Sequence, residues 1–236
     1  MICLLKVKPP IAMIRKKLVQ VIFLTLSIGA YSATAQVDQI VKLANKVAIS
    51  NETDSWIKVS VPFNIITHPR LAELKGSRPT SVEEAFNPEF LDSLKVKLYI
   101  CFSNEFKKKA LRNSKLMDSQ FYQYYSAEVD FKAVKIERTT KYANFMFPSS
   151  VAEKDGFGGN YVNPVGYAIE IMVEGVPVEI SNSIMFDKYR DEATLQKFKQ
   201  QAEQKSTTSV GVLLPAHHVF PSYFQSGAYL KPAVAE

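Results

Sequence analysis

The side chains best suited to making and breaking bonds are few. His68, His217 and His218 are the only histidines in 236 residues, and Cys3 and Cys101 the only cysteines. A metal centre wants three or four converging ligands, and the adjacent pair His217 and His218, if extended, points to opposite faces of the chain. A hydrolytic triad would need one of these rings beside a serine and an acid. No local spacing supplies that, so an envelope hydrolase using His217 or His218 is the least favoured reading. Glu128 and Asp130 stand two apart on a strand-like run and could imitate a glycosidase pair, but Lys132 and Lys135 follow them as on a solvated strand face. The sequence has no G-x-S-x-G elbow, H-E-x-x-H, C-x-x-C, Walker loop or dinucleotide fingerprint. The glycine-rich Asp155-Gly156-Phe157-Gly158-Gly159-Asn160 lacks the strand-to-helix setting of a phosphate loop. The expectation is a non-enzymatic protein with no catalytic residue, no metal and no cofactor.

Binding chemistry has two candidates. Tyr122, Tyr124 and Tyr125 follow Phe121 in a dense aromatic run, and Tyr223, Phe224 and Tyr229 form a second group. Exposed, such rings stack on sugars or on a partner protein. Buried, they pair across strands and stabilise the sheet. Lys107, Lys108, Lys109, Arg112 and Lys115 place five cationic side chains in nine residues. That patch suits anionic glycans or lipid head groups, or it is a solvated connector.

The elements that would position these residues are mostly strands. Residues 56–66, 94–102, 121–137 and 142–147 alternate apolar with polar, and the third run is long enough to expect a bend or bulge near Ala133. Residues 167–173 alternate again, Glu174-Gly175 opens a turn, and Val178 and Ile180 continue on its far side, the clearest hairpin in the chain. Residues 191–205 switch to helical spacing with Asp191 as cap, and residues 37–48 show helical spacing too. Residues 104–118 read as a connector, 153–164 as a surface loop, 209–214 as one last strand. Cys101, inside an apolar strand, reads as a small buried residue. The division expected is a signal at 1–35, an N-terminal helix and linker at 36–55, a β-sandwich at 56–214 carrying the helix near 191–205, and an irregular tail at 215–236. Strands that succeed one another without alternating helices make an antiparallel sandwich and not a doubly wound sheet.

The formal charge of +6 points first to an anionic partner. Five of the 29 basic residues, however, lie in 1–35, where there is no acid, leaving 24 against 23 in the rest. Arg15, Lys16 and Lys17 precede the apolar run 18–30, and Ala33-Thr34-Ala35 supplies small residues for cleavage before Gln36, the layout of a secretory signal with an ordinary start at Met13. The run is short for a membrane span, so no stable span is expected after cleavage. Gln36 is not the cysteine of a lipoprotein, and the apolar run has no acid of the prepilin kind. An exported, nearly neutral body is no nucleic-acid partner. The expected location is the periplasm or outer surface of a Gram-negative-type bacterium.

Trp56-Ile57-Lys58-Val59-Ser60-Val61, Leu94-Lys95-Val96-Lys97-Leu98-Tyr99-Ile100, Ala127-Glu128-Val129-Asp130-Phe131, Phe145-Met146-Phe147-Pro148 and Gly166-Tyr167-Ala168-Ile169-Glu170-Ile171 resemble a secreted verrucomicrobial protein family. Its members are encoded in the Akkermansia type IV pilus-associated gene cluster. The resemblance spans most of residues 50–215 and implies an immunoglobulin-like antiparallel β-sandwich with one or two peripheral amphipathic helices. It also implies an exported structural or interaction role at the cell envelope, with an envelope or pilus-associated protein as partner. It carries no catalytic residues across. A glycan-binding module using the tyrosine run is the alternative.

Overall fold

The computed structural model describes residues 39–71, 73, 81–82, 85–111, 115–158, 162–187, 189–224 and 228–230. The signal, its cleavage site, Met13 and Arg112 lie outside them.

The alternating runs 94–102 and 121–137 become the 14-residue strands β4, Phe90–Ser103, and β5, Tyr122–Lys135, paired antiparallel from Phe90 opposite Lys135 to Ser103 opposite Tyr122, with a break at Ser93 and Lys132. On the other side of β4 lies β7, Gly166–Val173. The other sheet is built around β3, Trp56–Ile65, and β6, Lys141–Pro148. Alternation puts Ile57, Val59, Val61, Phe63, Ala143, Phe145 and Phe147 on the inner face of that sheet. Leu94, Val96, Leu98, Ile100, Val129, Phe131, Ile169 and Ile171 form the facing layer, and together they make one buried core. Every pairing between named strands is antiparallel, so the architecture is the expected mainly β antiparallel sandwich.

The amino end differs from expectation. Residues 37–48 form no helix where they are described: β1, Val41–Leu43, and β2, Ala48–Thr53, both run antiparallel along the same edge of β3. Between them the Ala44 N–H donates to the Pro62 carbonyl at 3.0 Å. Val41, Leu43, Val47 and Ile49 also recur at period two. The extended pairing satisfies the β3 edge that a helix would leave open. The sandwich therefore starts well before residue 56.

The hairpin at Glu174-Gly175 forms as read: φ is 51° and 82° at its two turn residues, and β8, Val176–Val178, returns along β7. Positive φ at both positions is what a two-residue primed turn requires. After a break, β9, Ile184–Phe186, continues on the same edge of β7.

The carboxyl end is more ordered than an irregular tail. The strand expected at 209–214 is mostly turn: a 3-10 turn at Thr207–Ser209 runs into turn and bend residues 210–213, and β10 is only Leu214–Pro215, against β6. Beyond it β11, Ala228–Leu230, pairs with β5, and Leu230 is buried in the core. The register shifts between Tyr229 and Leu230, which leaves Lys132 of β5 unpaired in that ladder, beside the residue where a bulge was expected.

Among the described residues four helices decorate the sandwich: α1, Glu105–Ala110; α2, Ser149–Asp155; α3, Glu192–Ser206; and α4, Ala216–Val219. Helix α3 has the expected cap, Asp191 accepting from the Thr194 N–H at 2.9 Å. Its Phe198 and Ala202 lie over Tyr99, Cys101, Tyr124 and Ala168, making a second, smaller core on the outer face of the β4–β5–β7 sheet. Gly166 permits this approach. A Cβ there would stand 2.7 Å from the Met185 carbonyl oxygen and 2.8 Å from the Phe198 ring.

Candidate interaction surface

The tyrosine run sits at the start of β5, so successive residues face opposite ways. Tyr125 points into the sandwich, edge-on to Phe147 at 4.8 Å between ring centroids. Tyr124 points outward and lies under α3, with Phe198 at 6.1 Å. Each is only 3% exposed. Tyr122 is half-buried, edge-on to Phe186 at 6.1 Å. Alternation splits the three rings between two faces, so they do not form one stacking platform: Tyr124 and Tyr125 are packed into the two cores, and Tyr122 keeps part of its ring at the surface. Burial raises the hydroxyl pKa of both Tyr124 and Tyr125 above the ordinary phenol range.

The Tyr125 hydroxyl instead joins a buried polar group that sequence reasoning missed. Its single proton is shared between Gln123 Oε1 at 3.0 Å and Asp155 at 3.3 Å, and Asn104 Nδ2 donates to the same Asp155 carboxylate at 2.9 Å. The other side-chain atom of Asn104, Oδ1, accepts from the Lys107 N–H at 2.8 Å and so caps α1. One asparagine thus ties the first turn of α1 to the end of α2. The sign available in the sequence was Asn104-Glu105 ahead of a lysine-rich helical run. The glycine-rich stretch after Asp155 is only partly a surface loop. Glu153 to Asp155 close α2, Gly156 takes φ 75° as its left-handed cap, and Phe157 stacks on Phe102 at 4.4 Å. Beside this group is an open groove of about 440 Å³, whose lining includes Tyr122, Tyr124, Tyr125, Asp155, Lys154 and Lys205.

The basic connector is exposed. Lys107 and Lys109 of α1 and Lys115 beyond it face solvent. Lys108 pairs with Asp118 at 3.0 Å, the carboxylate holding its ammonium pKa above the usual lysine value, and this pair ties α1 to the 3-10 turn Asp118–Phe121. The Asn104 N–H, donating to the Phe121 carbonyl at 2.8 Å, closes the base of the excursion. Interleaved with the lysines are apolar side chains that the sequence reading passed over: Phe106 is 67% exposed, Leu111 49%, Leu116 44% and Met117 69%. A globular protein rarely clusters large apolar groups in solvent without a partner for them.

The remaining candidates have structural settings. His68 is buried, stacked on Phe86 at 4.5 Å, and its Nδ1 accepts from the Arg70 N–H. His217 and His218 lie on α4 and not on an extended run, their rings 4.3 Å apart and His217 also against Phe224. Among the described residues no group of three or more His, Cys, Asp or Glu side chains is arranged to hold a metal. Glu128 and Asp130 share Lys95, at 2.9 and 3.6 Å, as a surface ion cluster. Cys101 is fully buried, and loss of solvent pushes its thiol up to about 12.

No protein-family model matches the chain, and no curated protein matches it in sequence. A crystal structure from Akkermansia muciniphila is similar in outline, with a TM-score of 0.48, 15% identity, and coverage of 81% of this chain and 91% of that chain. So loose a likeness carries no argument about role, which rests on the residues of this chain. Among the described residues, no helix is long and apolar enough to cross a membrane.

Proposed function

We propose that this chain is an exported, non-enzymatic interaction protein of the cell envelope. The observation that carries the proposal is the α1 connector, where Phe106, Leu111, Leu116 and Met117 stand in solvent among lysines while the cores beneath are closed. Export is supported by the basic and apolar segments ahead of Gln36, and the near balance of charge in the remainder leaves the connector as its main local basic feature. The finer reading, an accessory protein of a type IV pilus, draws on the resemblance of the strand sequences. The chain would serve as an accessory and not the fibre subunit, because its apolar run lacks the prepilin acid.

A photo-crosslinking residue at Phe106, introduced in the producing cell, tests this. An adduct in the envelope fraction, on a chain whose amino terminus is Gln36, is the expected result. A chain retained in the cytoplasm, or one that stays monomeric and unlinked in the periplasm, would count decisively against it. Co-purification with sheared pili tests the finer reading.

A further inference from the structure

We propose that the α1 connector docks the protein onto an anionic lipid bilayer. This rests on reading the connector as the interaction surface, and it names what the surface meets. On α1, Phe106 and Lys109 are three residues apart and share a face, and Leu111 follows Ala110 as the residue that ends the helix. Leu116 and Met117 follow Lys115 directly in an exposed, non-helical stretch, and the Lys108–Asp118 pair holds this second arm against the first.

The composition separates lipid from protein as occupant. The buried centre of a protein interface is depleted of lysine and favours aromatic residues and arginine. A bilayer interface suits apolar side chains interleaved with lysines, whose long stems lie along the acyl boundary while the ammonium groups reach the phosphates. Four lysines, Lys107, Lys108, Lys109 and Lys115, stand against two acids, Glu105 and Asp118, in the described part of the connector, and Asp118 is occupied by Lys108. The excess is positive, which matches phosphatidylglycerol or cardiolipin head groups. Asn104 fixes α1 in place, since its backbone closes the base and its side chain ties the helix to the buried Asp155. Docking then costs little ordering of the chain.

The unit Asp38–Glu236 contains every described strand and both apolar cores, and is compact by itself, so it serves for the test without the apolar leader. It is sedimented with vesicles of phosphatidylcholine alone, or of phosphatidylcholine and phosphatidylglycerol in equal parts. The expected result is binding to the mixed vesicles that weakens with salt, and little binding to the neutral ones. Phe106→Ser with Met117→Ser lowers the affinity roughly tenfold, and Lys107→Glu with Lys109→Glu lowers it by a similar factor of roughly ten and removes the salt dependence. Val210→Ser, at a residue 74% exposed elsewhere on the surface, leaves binding unchanged. Circular-dichroism melting confirms that each variant is folded. Absence of binding to the mixed vesicles, or binding indifferent to both pairs of substitutions, overturns the proposal. So does a self-associated chain that fails to bind vesicles and that Phe106→Ser and Met117→Ser dissociate, since the face would then be an interface between copies. The two proposals fail separately: a crosslinked envelope protein without vesicle binding rejects lipid alone, and vesicle binding by a chain that is never exported rejects the envelope reading alone.

Discussion

The lysine-rich connector and the tyrosine run that follows it occupy neighbouring stretches, and both have the residue types of a binding surface. Their fates differ. Tyr124 and Tyr125 are 3% exposed, whereas Phe106 and Met117 are 67% and 69% exposed. The tyrosines lie on a strand held between two apolar layers, so each ring had a core waiting on its side of the sheet. The connector leaves the sheet at Ser103 and rejoins it at Tyr122, and its two ends are fastened to each other. Phe106, Leu111, Leu116 and Met117, on either side of its tip, stay exposed. Residue type proposed both sites, and position relative to the sheet decided between them.

Removing Tyr125 should have the largest effect. Tyr125→Ala empties a ring site in the main core and strips Asp155 of a hydrogen bond, and should lower stability by about 3–5 kcal/mol in urea unfolding. Tyr125→Phe keeps the ring and loses only the hydroxyl, for about 1–2 kcal/mol. A Tyr125→Ala chain as stable as the parent would mean that the ring is not core.

Next is Gly166→Ala, which forces a methyl group against the Met185 carbonyl and Phe198. A cost of about 1–3 kcal/mol is expected, with α3 loosened from the sheet in hydrogen exchange. An unchanged protection pattern in α3 would break the account of the second core.

A smaller effect is expected from alkali. Burial raises the pKa of Cys101, Tyr124 and Tyr125. The folded chain therefore holds protons that the unfolded chain releases once pH passes the ordinary thiol and phenol values, at about 8.5 and 10. The stabilisation is whole below those values and is lost as pH rises through them towards the raised ones. Stability should fall progressively above about pH 9, less steeply in Cys101→Ala. In the same vein, Cys101 should resist thiol reagents at neutral pH until urea unfolds the chain.

The connector should show the smallest effect on folding. Phe106→Ser and Met117→Ser should shift stability by less than about 0.5 kcal/mol, because both side chains are already in water. Lys108→Ala breaks only an exposed ion pair and should cost at most about 0.5 kcal/mol. A marked drop in either would show that the connector is packed in solution, and the contrast with the tyrosines would collapse.

Much of the fold was legible because strand alternation is a local property. Residues 56–66 were read as a strand that runs Trp56–Ile65, and the Glu174-Gly175 turn and the Asp191 cap were in place. Residues 37–48 misled because Val37, Ile40, Val41 and Ala44 satisfy a helical period while Val41, Leu43, Val47 and Ile49 satisfy a strand period. The open edge of β3 settled that ambiguity from outside the segment. Less of the candidate site was legible. The lysines were visible as a charge run, but the part played by Phe106 and Met117 was not, since one phenylalanine and one methionine in a connector look like core until the core is seen to be complete without them.

By itself, the sequence determined that the charge excess lies in the first 35 residues, that the body is built of antiparallel strands, and that Asp191 starts the long helix. These depend on composition and on spacing over a few residues. Only the tertiary structure decided that α3 covers Tyr124, that Tyr125 reaches Asp155, and that the tail returns to the sheet at Leu230. A repeating pattern shows which side chains share a face; what lies against that face comes from residues far along the chain, and burial follows from them.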